Sequence, residues 1–161
     1  MGIVAIMSEG CVTEPLQNFL ATDHRTFTAV CSAYIYVIRA GEDGPVKIGV
    51  ATNPTLRITE LQCGSWMDLS FVAVAAVITG LARTAENAAH HVAAEHRIRG
   101  EWFDLEPLEA VSAILAGAAK AGVSVVSLKE YWHRQSILGK AELVSAKIER
   151  VRLLRVKLGM D

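Results

Sequence analysis

The chain lacks a dominant charge. Its 161 residues carry 16 Lys and Arg against 17 Asp and Glu, a formal net charge of −1, so it does not coat nucleic acid by electrostatics alone. It has little cysteine: Cys11, Cys31 and Cys63 are odd in number and show no CxxC spacing. They fit free thiols in a reducing compartment better than a disulfide frame or a zinc knuckle. No apolar run approaches the roughly 20 residues of a membrane span. The opening GIVAIM run is short, has no basic flank and soon meets Glu9, which makes it a poor signal peptide. These absences point to a cytoplasmic protein without a membrane partner. What is abundant is apolar: 52% of residues are hydrophobic and 20% charged, enough for a sizeable core and against wholesale disorder. The length suits one domain with a short appendage.

The near-neutral average conceals an asymmetry. Residues 1–127 hold 8 Lys and Arg against 13 Asp and Glu, a balance of −5, whereas residues 128–161 hold 8 against 4, a balance of +4. A basic tail on an acidic body suits contact with phosphate or an acidic surface, and it also suits an ordinary solvated helix face.

Residues 1–32 give mixed signals, a short helix around Gln17 to Ala21 and a lead-in from Thr26 to Cys31, with no function assigned. Ala33 to Ala40 alternates and is rich in Tyr, Ile and Val, which predicts a strand. The turn residues Gly41 to Pro45 and the run Val46 to Val50 complete a hairpin. Asn53 before Pro54 reads as an N-cap with proline in the first turn, starting a helix through Gln62 that Gly64 ends. Leu69 to Ile78 is apolar and β-branched enough for a buried third strand. A second helix is expected from about Leu81 to Ile98, with Arg83, Glu86, His90 and Arg97 on one face pointing away from the core and Ala85, Ala88 and Val92 packed on the sheet. Pro107 to Ala121 reads as a third helix, Val123 to Val126 as a short strand or link, and the remainder as a helix with a possible break at Gly139. In that last helix Ile137, Ala141, Val144, Ile148, Val151, Arg155 and Leu158 follow steps of four and three. This is a coiled-coil stripe with Arg155 as its one poor position, fit either for pairing copies of the chain or for docking on its own domain.

Several short motifs, taken in order, resemble the GIY-YIG nuclease superfamily. They are Tyr34-Ile35-Tyr36 in the first strand, Lys47-Ile48-Gly49 in the second, Arg57 eight residues after Gly49, and Glu86 with His90 in the helix after the third strand. Leu61-Gln62-Cys63-Gly64 and Gly100-Glu101-Trp102-Phe103 bring the likeness closest to the phage-type branch, whose second motif reads KIG and whose domain closes with GEWF. The resemblance covers roughly residues 33–105. It implies an α+β fold, a small three-stranded antiparallel sheet flanked by helices with a C-terminal helical extension. The expected organisation is then 1–32 as an extension, 33–105 as the nuclease-like domain, and 106–161 as a helical extension ending in a basic helix.

The same resemblance implies hydrolysis of a nucleic-acid phosphodiester, foremost DNA, with a single Mg²⁺ or Mn²⁺. Such chemistry needs a deprotonated water, charge stabilisation at phosphorus and help for the leaving alkoxide. Tyr36, or Tyr34 in a shifted register, would activate water; Arg57 would clamp phosphate with its planar fork; Glu86 would hold the ion. Lys47 and His90 join the catalytic candidates, and Glu101 falls near an asparagine of many relatives. Arg83, Arg97, Arg99, Lys147 and Arg150 are the candidates for nucleic-acid contact. The chain departs from the wider family at Lys47, where a tyrosine is common, at Val50, where a lysine is common, and at Leu61, where some relatives have histidine. A nucleic-acid-binding module that does not cut, and an interaction protein that self-associates through its C-terminal helix, therefore remain alternatives. Each residue also has a plain role: Tyr34 and Tyr36 as strand residues, Arg57 as a surface arginine, Trp102 and Phe103 as core plugs. His90, His91 and His96 cannot converge on one zinc ion from a single helix.

Overall fold

A computed structural model describes residues 14–20, 33–78 and 80–157. The lead-in at Thr26 to Cys31, Cys11, Ala21 and Leu158 lie outside the described residues. Two compact units contain the rest, one within Met1–Ser127 and one within Leu128–Asp161.

The first unit is built on strand β1 (Ala33–Ala40), which pairs antiparallel with β2 (Val46–Ala51) on one side and β3 (Leu69–Val77) on the other. Gly41 turns the hairpin at φ +70°, a backbone region that glycine enters without strain. Pro45 closes the turn by accepting from Ala40 N at 3.1 Å. The expected three-stranded sheet is larger: it has six strands in the order β4-β5-β2-β1-β3-β6, all antiparallel. The added strands are short, β4 (Arg97–Arg99), β5 (Trp102–Phe103) and β6 (Val125–Ser127). β6 overlaps the short strand or link read at Val123 to Val126, whereas the two- and three-residue runs of β4 and β5 carry no readable alternation and are defined by the main-chain ladder. Ser127 also takes both carboxylate oxygens of Glu14, through its main-chain N at 2.9 Å and its hydroxyl, tying residues 14–20 to this edge.

Helix α1 (Pro54–Cys63) begins where Asn53 Oδ1 accepts from Leu56 N at 3.1 Å, the cap that Asn-Pro foretells. It packs against β1, β2 and β3. Helices α2 (Ala82–Val92) and α3 (Pro107–Ala121) cover the opposite face. There Ile35, Val37, Ile48, Ala75, Val77 and Phe103 meet Ala85, Ala89, Val111 and Ile114 in one core. Glu106 and Glu109 form a reciprocal capping box on α3, and Gly122 ends it in the left-handed conformation at φ +66°.

The second helix differs from expectation in length and facing. It ends at Val92, because Ala93 turns into the core at 2% exposure, Ala94–His96 tighten into a 3-10 turn, and the chain reverses at Gly100 to pair β4 with β5. Arg97 is therefore a strand residue off the helical stripe. The stripe does not face solvent either: Glu86 and His90 are buried, while Val92, expected on the sheet, is exposed. Ala82, Ala85, Ala89 and Ala93 make the packing face instead.

The second unit is one helix, α4 (Leu128–Lys157), continuous through Gly139. Ile137, Val144, Ile148 and Val151 of its stripe are exposed. No helix among the described residues is long and apolar enough to cross a membrane.

Helices α2 and α3 approach closely through small residues. A Cβ added at Gly117 would lie 2.5 Å from Ala89 N and 2.6 Å from Ala88 C, both backbone atoms that cannot swing aside. Gly117→Ala should gain about 1 kcal/mol of helix propensity and lose more than that from an overpacking cost of about 1–3 kcal/mol. Urea denaturation should show a lower midpoint; an unchanged or higher one would mean the two helices are free to separate.

Candidate functional site

The site forms where the outer edge of β2 loses its strand partner. Strand β5 pairs with β2 at Val46 and Lys47. At the next residue the ladder is finished by other groups: Ile48 N donates to Glu101 O at 3.3 Å, and His90 Nε2 lies 2.9 Å from Ile48 O. A carbonyl accepts only, so Nε2 carries the proton there and the tautomer of a neutral His90 is set. His90 also stacks on Phe103 with ring centroids 5.3 Å apart. This ring anchors α2 to the edge of the sheet and brings Glu86, one turn earlier, to the same edge.

From the other side comes Tyr36. Along β1, Tyr34 and Tyr36 alternate with the core residues Ile35 and Val37, so their rings lie on the α1 face. Tyr36 pairs across the ladder with Gly49. A Cβ at Gly49 would sit 2.5 Å from the Tyr36 hydroxyl and 2.7 Å from Cζ, so the ring lies directly over the space a side chain would fill. Phe71 braces it edge-on, at a centroid distance of 5.9 Å. Tyr36 thereby reaches across β2 toward the edge that Glu86 and His90 line. Val50 packs against the core on the opposite face, so that position presents nothing to the site.

These side chains also act on one another's charge. Burial pushes the Tyr36 phenol above its ordinary value; the hydrogen bond and charge of Arg57 pull it down, and the carboxylates of Glu101 and Glu86 push it up, with a net rise. Arg57 is held charged by Tyr36 first and then by Glu60, which it meets at 3.1 Å. Burial alone would raise Glu101; the hydrogen bond and charge of Lys47 outweigh it, with His90 and Arg57 adding to the fall, so its carboxyl lies below the usual range. Glu86 is 3% exposed and accepts from Arg83 Nη1 at 3.0 Å.

Six candidates thus share one place: Tyr36, Arg57, Glu86, His90, Lys47 and Glu101. Tyr34 is buried two residues along, opposite Ala51 rather than Gly49, so Tyr36 is the register that meets Arg57. Arg83 stands at the rim through Glu86. Arg97 is engaged structurally, donating to Gly100 O at 2.8 Å and lying over Phe103 at 5.1 Å. Arg99 is exposed on β4, and Lys147 and Arg150 are exposed on α4 in the other unit. Sequence reasoning missed Glu60 as the partner of Arg57 and the pairing of Lys47 with Glu101. The i, i+3 spacing could have signalled the first; the second needs the register of β5 on β2. Phe103 is a core plug as expected, with Trp102 half-buried.

A protein-family model for the T5orf172 domain matches residues 33–118, more than half of the chain. The chain belongs to the T5orf172 domain family. This is a phage-type domain found in homing-endonuclease-like proteins. The T5orf172 match takes in the whole six-residue cluster and most of α3. No curated protein and no solved structure matches the chain.

The Tyr36 hydroxyl supplies a direct check. In ¹³C-tyrosine NMR its titration should fall above the ordinary phenol value, and Arg57→Ala should raise it further, since the guanidinium is the group that holds it down. A fall on removing Arg57 would show that the two side chains do not meet.

Proposed function

We propose that this T5orf172 domain is a GIY-YIG-type, metal-dependent endonuclease that hydrolyses phosphodiester bonds of nucleic acid, foremost DNA. The observation that carries this reading is the meeting of Tyr36, Arg57 and Glu86 at the open edge of β2, from three separate elements, over a glycine that makes room for the phenol. The phage-type family supports it.

Each residue has a task that its surroundings suit. Arg57 is about half exposed and turns one edge of its fork to Glu60, so a phosphate can take up the other donors. Tyr36 is a phenol at neutral pH, as any ordinary tyrosine is, and its burial moves it further from ionising. It therefore acts by passing a proton on as it accepts one from water, rather than as a standing phenolate. Among the described residues no cluster of three or more His, Cys, Asp or Glu side chains forms a cage for a metal. The donor set nonetheless fits Mg²⁺ or Mn²⁺, which keep several waters and need one or two carboxylates. Glu86 would hold the ion and exchange Arg83 for it; when bound, the ion would supply charge stabilisation at the phosphoryl oxygens. Exposed cations supply affinity: Arg83 and Arg99 on the first unit, Lys147 and Arg150 on α4.

One observation favours a second reading. The Glu86 carboxylate already has a counter-ion in Arg83, and a site that keeps this pair would bind nucleic acid without cutting.

Two measurements separate these readings. With supercoiled plasmid and Mg²⁺ or Mn²⁺, the wild-type protein should nick, and Glu86→Ala and Arg57→Ala should each be slower by about a hundredfold or more. Equal nicking by all three would remove the enzyme reading. In a salt series with labelled DNA, Lys147→Ala with Arg150→Ala should flatten the slope of log K against log salt by about two. An unchanged slope would place those side chains off the DNA.

A further inference from the structure

Glu86 is buried with a single counter-charge. Its side chain is 4% exposed, and Oε2 accepts from Arg83 Nη1 at 3.0 Å. Among the described residues no other donor hydrogen-bonds to this carboxylate. Arg57 and Lys47, the other cations of the site, have Glu60 and Glu101 as partners. The Arg83 side chain is 78% exposed, and among the described residues it donates to Glu86 alone. A carboxylate out of water thus depends on one arm that is itself mostly in water.

The two ends of this pair lose unequally when it opens. The released guanidinium returns to water and loses little. The carboxylate stays behind without a counter-charge, and stripping one partner from a buried pair is strongly destabilising. The helix adds nothing to the hold on Arg83. It is the second residue of α2, in the first turn, where the helix dipole opposes a cation. It also precedes Glu86 by three residues, and a cation before its carboxylate is the weaker order for a helical pair. Arg83 therefore leaves readily, provided another cation takes its place. A hard divalent ion that keeps several waters suits one carboxylate, and the freed guanidinium fork suits a phosphate.

We infer that Arg83 is an exchangeable counter-ion that couples the two ligands of the site: it stays on Glu86 until a nucleic-acid phosphate takes its guanidinium and a divalent cation takes its place on the carboxylate. This rests on the reading of Glu86 as the metal ligand and adds how that site is filled. A cation alone must displace Arg83, and a phosphate alone must strip Glu86 of its counter-charge. Together they open the pair once. Each ligand therefore strengthens the binding of the other, and by linkage the two gains are equal. Arg83 adds to nucleic-acid affinity only while the cation is present. Without nucleic acid, the same arginine keeps the hold on the cation weak.

Binding measurements on the full chain test this. A Tyr36→Phe parent, which keeps the ring and on the proposed reading leaves DNA uncut, is compared with the same protein carrying Arg83→Gln. Free Mn²⁺ is read by electron paramagnetic resonance, and labelled duplex DNA by fluorescence anisotropy at fixed ionic strength. Without DNA, Arg83→Gln should bind Mn²⁺ about tenfold more tightly. In duplex affinity, it should lose less than about twofold without Mn²⁺ and about tenfold at saturating Mn²⁺. Equal losses in the two conditions would make Arg83 a fixed phosphate contact, and an unchanged Mn²⁺ affinity would show that it does not guard Glu86; either overturns the inference. Thermal unfolding supplies a second readout. Arg83→Gln should melt below its parent without Mn²⁺ and recover when Mn²⁺ is added, since the ion then supplies the missing counter-charge. A fall that Mn²⁺ does not reverse would make the arginine structural and overturn the exchange. Failure of Mn²⁺ to bind either protein would remove Glu86 as a metal ligand and the inference with it. Coupling found beside a wild-type protein that does not nick plasmid would remove the cutting and leave the exchange standing.

Discussion

Everything at the site depends on an atom that is missing. With no Cβ at Gly49, the Tyr36 ring extends over β2 and its hydroxyl occupies the space a side chain there would fill. A side chain of any size there would push the phenol back toward β1, away from Arg57 and the carboxylates. The same ladder that sets this contact also sets the facing of Ile35, Val37 and Ile48 into the core. A one-residue slip of β2 would therefore lose both the site and the core together, because side-chain facing in a strand alternates residue by residue. The fold and the site share one register.

Around this contact, charges stand in opposite pairs. Lys47 has Glu101, Glu86 has Arg83, and Arg57 has Glu60. In the first two pairs one partner is buried and the other more exposed, whereas Arg57 and Glu60 are both about half exposed. Pairing of this kind offsets the desolvation penalty without adding much stability. Its consequence is chemical: each group is held oriented, and on the proposed reading a phosphate or a cation entering the site would exchange partners instead of filling an empty cavity. The raised phenol of Tyr36 and the lowered carboxyl of Glu101 are two results of the same crowding. Burial acts upward on both, and the nearby cations reverse the net effect only at Glu101.

Much of the first unit is legible along the chain. The alternation in Ala33 to Ala40, the Asn53-Pro54 cap and the stop at Gly64 correspond to β1 and α1 almost residue for residue. The limits α3 takes, Pro107 and Ala121, are those its composition suggests. What the chain conceals is what only neighbours decide. Nothing between Val92 and Ile98 breaks a helix, and it is the burial of Ala93 and the pairing of β4 with β5 that stop α2 early. The helical spacing of Glu86 and His90 is real, but its outward facing does not survive contact with the β2 edge, which buries both. β4 and β5 escape the sequence for the same reason, and β6, legible as a short strand or link, joins them in enlarging an expected three-stranded sheet to six. In the site, Tyr36, Arg57 and Glu86 can be picked from motif order alone, whereas the Lys47–Glu101 and His90–Ile48 contacts depend on where β5 ends.

The central claim is that a divalent cation and a phosphodiester meet at the open edge of β2. Paramagnetic broadening by Mn²⁺ in a backbone NMR spectrum tests it most directly. The account predicts broadening centred on Tyr36, Gly49, Glu86 and His90 at substoichiometric Mn²⁺, abolished by Glu86→Ala. Broadening centred instead on exposed acidic positions such as Glu42, Asp43 and Asp68, or left unchanged by that substitution, would contradict it.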